Sequence, residues 1–312
     1  MPNNQALPIG YQLNDYKIVK VLSTGGFSLV YLAHDQNKKT VAIKEYMPTS
    51  LALREDGHTV VINTDGDSVT FKHGLKCFFE EGLALAKIDH KNIIRVLNFF
   101  RANNTVYMVM QYERGKPLQD YILAQEDPLD EAFLRQLFAE LLNGLREVHS
   151  QKLLHLDIKP ANIYIRLDSS PVLLDFGSAR QILTGVHAKL APSFTPGFAS
   201  PEHYVDRKQL GPWSDIYSLG ASMYSCLSRA SPISANLRSV SDMLIPAQKL
   251  GKNIYSDSLL VLIDSCLALD PMQRPQSVLA LQKELLKKFV VEQKKTSPMT
   301  KLKKFLSVPR SS

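Results

Sequence analysis

Residues 153–165, LLHLDIKPANIYI, set His155, Asp157, Lys159 and Asn162 into an otherwise aliphatic run. A core strand does not accommodate that many polar groups, because each loses its water on burial. A surface helix has no use for Leu153, Leu154, Leu156, Ile158, Ile163 and Ile165 in so short a span. The stretch reads as a loop whose aliphatic side chains anchor it in a core while the polar ones face a cleft. Such a loop needs two bodies with a cleft between them.

The rest of the chain supplies two bodies of different kinds. In the first third, YKIVKVL, LVYLA, TVAIKEY, NIIRVLNFF and TVYMVMQY are rich in β-branched and aromatic residues and predict strands. The polar excursion REDGHTVVINTDGDS predicts a hairpin-like insertion, and residues 74–88, GLKCFFEEGLALAKI, a helix. Beyond the turn-rich connector ERGKP the period changes. AFLRQLFAELLNGLREVH puts Phe133, Leu134, Leu137, Phe138, Leu141, Leu142, Leu145 and Val148 on one helical face. Two short strands, IYIR and PVLL, follow, then apolar-periodic segments near 214–228, 257–267 and 276–290. The expected class is α+β and bilobed, a small mainly β lobe and a larger mainly α lobe with a ligand cleft between them. The boundaries are a lead-in 1–13, a small lobe 14–110, a hinge 111–117, a large lobe 118–290 and a basic tail 291–312.

Composition narrows the setting. No apolar run approaches the roughly 18 residues that span a bilayer, and the N-terminus lacks a secretion signal, so a cytoplasmic location is expected. Cys77, Cys226 and Cys266 are scattered and form no CxxC pair, which argues against a disulfide framework or a zinc site. Each is expected as a small buried hydrophobe. Six of the seven units of net positive charge come from residue 294 onward, where Lys294, Lys295, Lys301, Lys303, Lys304 and Arg310 stand without an acid. The body is close to neutral, and no nucleic-acid partner is expected.

Five features then fall in a fixed order. LSTGGFSLVYLA places Gly25 and Gly26 in a turn between strands, where backbone N–H groups can approach phosphates without obstruction from a Cβ. Lys44 ends an apolar strand and needs a carboxylate to hold it in the cleft; the following helix offers Glu80 and Glu81, and Glu81 is the choice. In the 153–165 stretch, Asp157 can accept a proton, Lys159 can neutralise a phosphoryl oxygen, and Asn162 can hold a divalent metal through its amide oxygen. VLLDFG ends a strand in Asp175, a natural magnesium ligand. FTPGFASPE, GPWSDIYSLG and LDPMQRP complete the order.

This ordered set resembles the eukaryotic-like protein kinases, especially bacterial serine/threonine kinases, over residues 14–285. The resemblance implies ATP and Mg2+ or Mn2+ as cofactors and proteins with serine or threonine acceptors as partners. It implies Asp157 as catalytic base, Lys159 on the γ-phosphate, Lys44 on the α/β-phosphates oriented by Glu81, and Asn162 and Asp175 on the metal. Leu22, Ser23, Thr24, Gly25, Gly26, Phe27 and Ser28 would cover the nucleotide, and Val30, Ala42 and Tyr164 would sandwich the adenine. Met110 would stand at the back of the pocket, with Gln111, Tyr112 and Glu113 as hinge. Leu85, Val96, His155 and Phe176 would stack as an apolar spine. Gly177 and Asp215 would be structural, Glu202 and Arg274 a buried pair, and Thr195 and Gly197 part of the segment that meets the substrate.

Three departures qualify the resemblance. Ser23 and Ser28 stand where glycine is usual, which implies a less open phosphate loop. Ser200 precedes Pro201 and Glu202 where alanine is commoner. Leu156 replaces an arginine that would read an activation-segment phosphate through its fork. Leucine cannot do so, which implies a segment that orders without phosphorylation and tolerates alanine at Thr184 and Ser193. The tail reads as a solvated basic segment; Leu302, Phe305 and Leu306 among its lysines could touch an anionic membrane surface or an acidic partner. Two rivals stand beside the active kinase: a pseudokinase scaffold, and a small-molecule phosphotransferase of related fold.

Overall fold

The computed structural model describes residues 6–175 and 194–287. Phe176, Gly177, Thr184, Ser193 and the tail 291–312 lie outside the described residues. Among those described, the small lobe is a six-stranded antiparallel sheet. It contains β1 (Gln12–Leu13), β2 (Tyr16–Thr24), β3 (Ser28–His34), β4 (Thr40–Tyr46), β7 (Val96–Ala102) and β8 (Thr105–Gln111), in the order β1-β2-β3-β4-β8-β7. Between β4 and β7 come a two-stranded hairpin, β5 (Ala52–Glu55) with β6 (Thr59–Ile62), and the helix α1 (Ser68–Leu85). The expected insertion is thus a true hairpin. The helix begins earlier than residue 74 because Phe71 shares the buried stripe with Phe78 and Leu85, and Tyr46 packs against both phenyl rings.

The period of two along β3 and β4 sets the sidedness of the lobe. Leu29, Tyr31 and Ala33 are buried, whereas Val30 and Leu32 are partly open. Val30 pairs with Lys44, and Ala42 pairs with both Leu32 and Met110. Val30, Ala42, Lys44 and Met110 therefore share the cleft face. Glu45, one residue on, faces the opposite side and is fully buried.

The connector ERGKP is not merely a turn. Gly115–Pro117 forms a short strand, β9, against β10 (Ile163–Arg166), which pairs in turn with β11 (Pro171–Leu173). Gly115 is required by this close approach, since a Cβ there would overlap the Ile165 carbonyl oxygen. The segment expected as a strand from Asn92 pairs as β7 only from Val96, because its start joins the large lobe instead: Leu173 N–H donates to Asn92 O at 2.8 Å.

The large lobe assembles around α5 (Pro212–Ser228), whose residues Ser214 to Cys226 are buried in an unbroken run. Before it come α2 (Leu118–Leu123), α3 (Glu131–Ser150) and the short α4 (Glu202–Val205). After it come α6 (Ala235–Val240), α7 (Ala247–Leu250), α8 (Asp257–Cys266) and α9 (Val278–Leu285). Asp130 caps α3 by accepting Phe133 N–H at 3.0 Å. Buried Arg135 ties α3 to the end of α9, donating to Glu131 at 2.7 Å and to Leu285 O at 2.6 Å. All three cysteines are buried free thiols.

A polar network at Glu45 was not legible in the sequence. Its carboxylate accepts from Tyr31 at 2.7 Å, Tyr107 at 2.6 Å and Arg54 at 2.6 Å. Leu7 N–H donates to the Tyr31 hydroxyl at 3.1 Å, so the lead-in, the sheet and the hairpin converge on one carboxylate. Both side chains of the Glu45–Arg54 pair are essentially inaccessible to solvent. Removing one member of such a pair strands the other. Arg54→Met should cost about 3 kcal/mol in urea denaturation, and adding Glu45→Gln should recover part of it. A loss below about 1 kcal/mol, the level of a surface pair, would contradict this reading.

Candidate active site

The stretch 153–165 runs from the end of α3 into β10 and carries one backbone irregularity with consequences. Leu156 has φ +64, a conformation that costs a non-glycine residue free energy and persists only when its surroundings impose it. Asp215 of α5 imposes it here. The carboxylate accepts N–H of His155 at 2.9 Å and N–H of Leu156 at 2.8 Å, and bonds His149 Nε2 at 2.8 Å. Burial alone would raise the pKa of Asp215, but the His149 contact and the amide donors outweigh it and hold the carboxyl below its ordinary value.

Beyond that turn, Asp157 sits at the centre of a polar cluster. Lys159 Nζ lies 2.9 and 3.2 Å from its two carboxylate oxygens. Asn162 Nδ2 donates to its carboxylate at 3.0 Å and to its carbonyl at 2.9 Å. Thr195 Oγ1 donates to it at 3.2 Å and accepts from Lys159 at 2.7 Å. Four residues named from sequence are thus brought together across a separation of 38 positions. Gly197 follows at φ +90, where a Cβ would lie 2.7 Å from Pro232 O, so glycine is needed on both counts.

Asp175 is placed by the same loop. His155 Nε2 bonds Leu174 O at 2.9 Å, and Leu174 N–H donates to Asn162 O at 2.8 Å. Asp175 itself has φ +46 and lies 2.8 Å from Lys44 Nζ. Here the sequence-based expectation needs correction. Lys44 pairs with Asp175 and not with Glu81, because the left-handed turn at Asp175 swings its carboxylate to the ammonium. The helix instead presents the Phe78 ring, 5.9 Å from Lys44 Nζ. Glu80 lies on the open face of α1, paired with Lys76 at 3.7 Å.

The nucleotide-side residues fall into two groups. Ala42 and Met110 are buried, and Val30 and Tyr164 are half-buried. Leu22 and Ser23 to Gly26 are exposed, with Phe27 half-buried. Ser28 is buried as the first residue of β3, so its departure from glycine is absorbed into a strand. Gln111 N–H is committed to Arg95 O at 2.9 Å and cannot serve a ligand as well. Glu113 forms a two-pronged pair with Arg166 at 2.7 and 2.9 Å, and Tyr164 donates its hydroxyl to Gly115 O at 2.8 Å. These two contacts staple the hinge to β10. Arg166 was not anticipated, and its place two residues after Tyr164 on a strand is the signal that could have found it.

The remaining named residues support the substrate segment. Glu202 and Arg274 form a buried bidentate pair at 2.8 and 3.0 Å, and Arg274 also donates to Ala268 O, Leu269 O and Trp213 O. Burial would raise the pKa of Glu202, yet Arg274 keeps it lowered. Ser200 bonds His203 Nδ1 at 2.8 Å, and Phe194 packs edge-on against His203 and Tyr204. Leu85, Val96 and His155 are buried.

Asn162 and Asp175 offer an amide oxygen and a carboxylate, hard donors of the kind magnesium or manganese accepts. No group of three or more His, Cys, Asp or Glu side chains converges among the described residues. The donor set fits a cation that completes its shell with substrate phosphates and water.

Burial pushes the pKa of His155 and His203 below the usual imidazole value. The unfolded chain takes up these protons near pH about 6.5, the folded chain only at lower pH. The associated stability is therefore present above about 6.5 and lost as pH falls below it. Tm should drop between about pH 7 and about pH 5, and His203→Gln should flatten the slope. An unchanged slope in that variant would contradict the assignment.

The chain is similar to known proteins. The family model described as protein kinase domain matches residues 16–286. The chain is 28% identical over 278 residues to serine/threonine-protein kinase D1044.8 of Caenorhabditis elegans, covering 85% of this chain and 26% of that protein. It is 27% identical over 286 residues to serine/threonine-protein kinase D of Synechocystis, covering 88% of this chain and 52% of that one. A solved structure described as the apo form of PpkA-294 superposes with a TM-score of 0.84 at 37% identity, over 90% of this chain and 100% of that one. The chain spans only about a quarter to a half of the length of these two curated relatives.

Proposed function

The chain belongs to the protein kinase family, and from that premise we propose that it transfers the γ-phosphoryl group of ATP to serine and threonine hydroxyls of proteins, its own included. One observation carries the reading: base, ammonium and amide meet at Asp157, Lys159 and Asn162, close to the Lys44–Asp175 pair. The acceptor oxygen attacks the γ-phosphorus and gives its proton to Asp157. The bond from phosphorus to the bridging oxygen breaks, and ADP departs with that electron pair. Lys159 steadies the transferred group, and Thr195, bonded to both Lys159 and Asp157, fixes their separation. Nucleotide phosphates would compete with Asp175 for Lys44. A divalent cation held by Asn162 and Asp175 neutralises phosphate charge when bound.

Positioning and charge neutralisation supply most of the rate in such a site. Leu156 is buried and offers no guanidinium to a phosphate, which supports a substrate segment ordered by Phe194, Ser200 and His203 instead. The buried free thiols support work in a reducing cytoplasm. The basic tail would reach an anionic membrane or an acidic partner.

Incubation with radiolabelled ATP and a generic basic protein should label that protein and the chain itself. The label should vanish in Asp157→Ala. Nucleotide binding without any incorporated label would contradict the reading and favour a scaffold.

A further inference from the structure

The segment that leads from β4 into the hairpin makes a contact that a simple strand connection does not need. Met47 N–H donates to Phe27 O at 2.9 Å, and Thr49 N–H donates to Gly26 O at 3.0 Å. The hydrogen-bonded ladder between β3 and β4 thus continues past Ser28 to the tip of the glycine loop. The linker is itself fixed at both ends. On one side stands Glu45, locked by Tyr31, Tyr107 and Arg54. On the other, Leu51 N–H and Ala52 N–H both donate to Pro48 O, at 2.9 and 3.0 Å, closing a turn with Thr49 at its second position. Arg54, two residues later, returns to Glu45 and closes the ring.

We infer that this linker is a positioning element for the phosphate loop, and that the Thr49 N–H sets the affinity for MgATP. The inference rests on the nucleotide reading above. Its physical basis is the planarity of the peptide unit, in which a trans C=O and the following N–H point in opposite directions. Holding Gly26 O and Phe27 O toward the linker turns the N–H groups of Phe27 and Ser28 away from it. Donors that line a phosphate bind best when they need no reorientation. Steric demand within the chain does not explain the second glycine, because a Cβ on Gly26 would meet nothing within 4 Å. Within the loop Gly25 N–H donates to Ser28 O at 2.9 Å, and the linker, pinned through Glu45, adds the contacts that hold the loop from outside. Ser23 and Ser28 restrict the backbone more than glycines would, and the linker contacts add to the order of the loop.

Proline at position 49 breaks the contact. The second position of a turn favours the proline backbone angle, so Thr49→Pro keeps the turn; it removes the N–H and the hydroxyl and puts its ring where the N–H hydrogen stood, so the Gly26 carbonyl must move away. Calorimetric titration with MgATP should show affinity weakened at least about fivefold, the scale of one backbone hydrogen bond. The KM for ATP should rise in step, with kcat changed less than about twofold. Thr49→Ala keeps the N–H and loses only the 3.4 Å hydroxyl contact to Gly26 O; its affinity should stay within about twofold of the parent chain. A parent chain that binds MgATP, with Thr49→Pro binding it equally well, overturns the tether alone. A parent chain that binds none overturns the nucleotide reading and the tether with it. Hydrogen exchange on the parent chain needs no substitution: the Met47 and Thr49 amides should be protected, more so with MgATP present, and rapid exchange at both overturns the inference.

Discussion

A single buried carboxylate organises the chemistry of this molecule. Asp215 lies in the middle of α5, with no exposed surface, and is kept ionised by two backbone amides and a histidine. Two adjacent amides can reach one carboxylate only if the chain turns sharply, and that turn is the left-handed Leu156. The turn sends Asp157 toward the cleft and leaves His155 in the core. The His155 ring then takes Leu174 O, so the position of Asp175 derives from the same clamp. Both acids to which the proposed phosphoryl transfer gives a role, Asp157 and Asp175, are hung from Asp215.

The small lobe has its own organising carboxylate, and the two are built alike. Glu45 is also fully buried and satisfied by three donors from different elements. Its neighbour Lys44 faces the cleft because β4 alternates sides. A buried charge is tolerated in each case because its donors are supplied by rigid backbone or packed rings. Each lobe therefore presents a cleft-facing ion, Lys44 or Asp157, from a strand or loop fixed on its far side by a hidden acid. The two lobes meet at the Lys44–Asp175 contact.

What could be read from the sequence was what depends on local spacing. The resemblance named Val30, Ala42 and Lys44, which the strand register puts on one face, and the 153–165 stretch announced Asp157, Lys159 and Asn162 through polar residues in an aliphatic setting. The helix α3 was evident from its apolar period. What escaped depends on partners distant in the chain. Tyr107 and Glu45 are 62 positions apart, and nothing in VAIKEY marks its glutamate as buried. The carboxylate that Lys44 takes is 131 positions away, and choosing it over Glu81 depends on a backbone angle at Asp175 that no pattern encodes. Ser200 looked like a minor departure until His203, three residues on, proved to be its partner.

The dependence of the catalytic loop on Asp215 is the centre of this account, and Asp215→Asn tests it most directly. Asparagine keeps the shape and one acceptor oxygen but loses the charge and the second acceptor, so it cannot serve both amides and His149. Single-turnover transfer from radiolabelled ATP, measured beside MgATP affinity, separates the loop from the rest of the cleft. The expected result is a transfer rate lowered by at least about tenfold, the scale of losing a charge-assisted hydrogen bond, with affinity for MgATP changed by less than about threefold. A variant that folds and transfers at the parent rate would contradict the account.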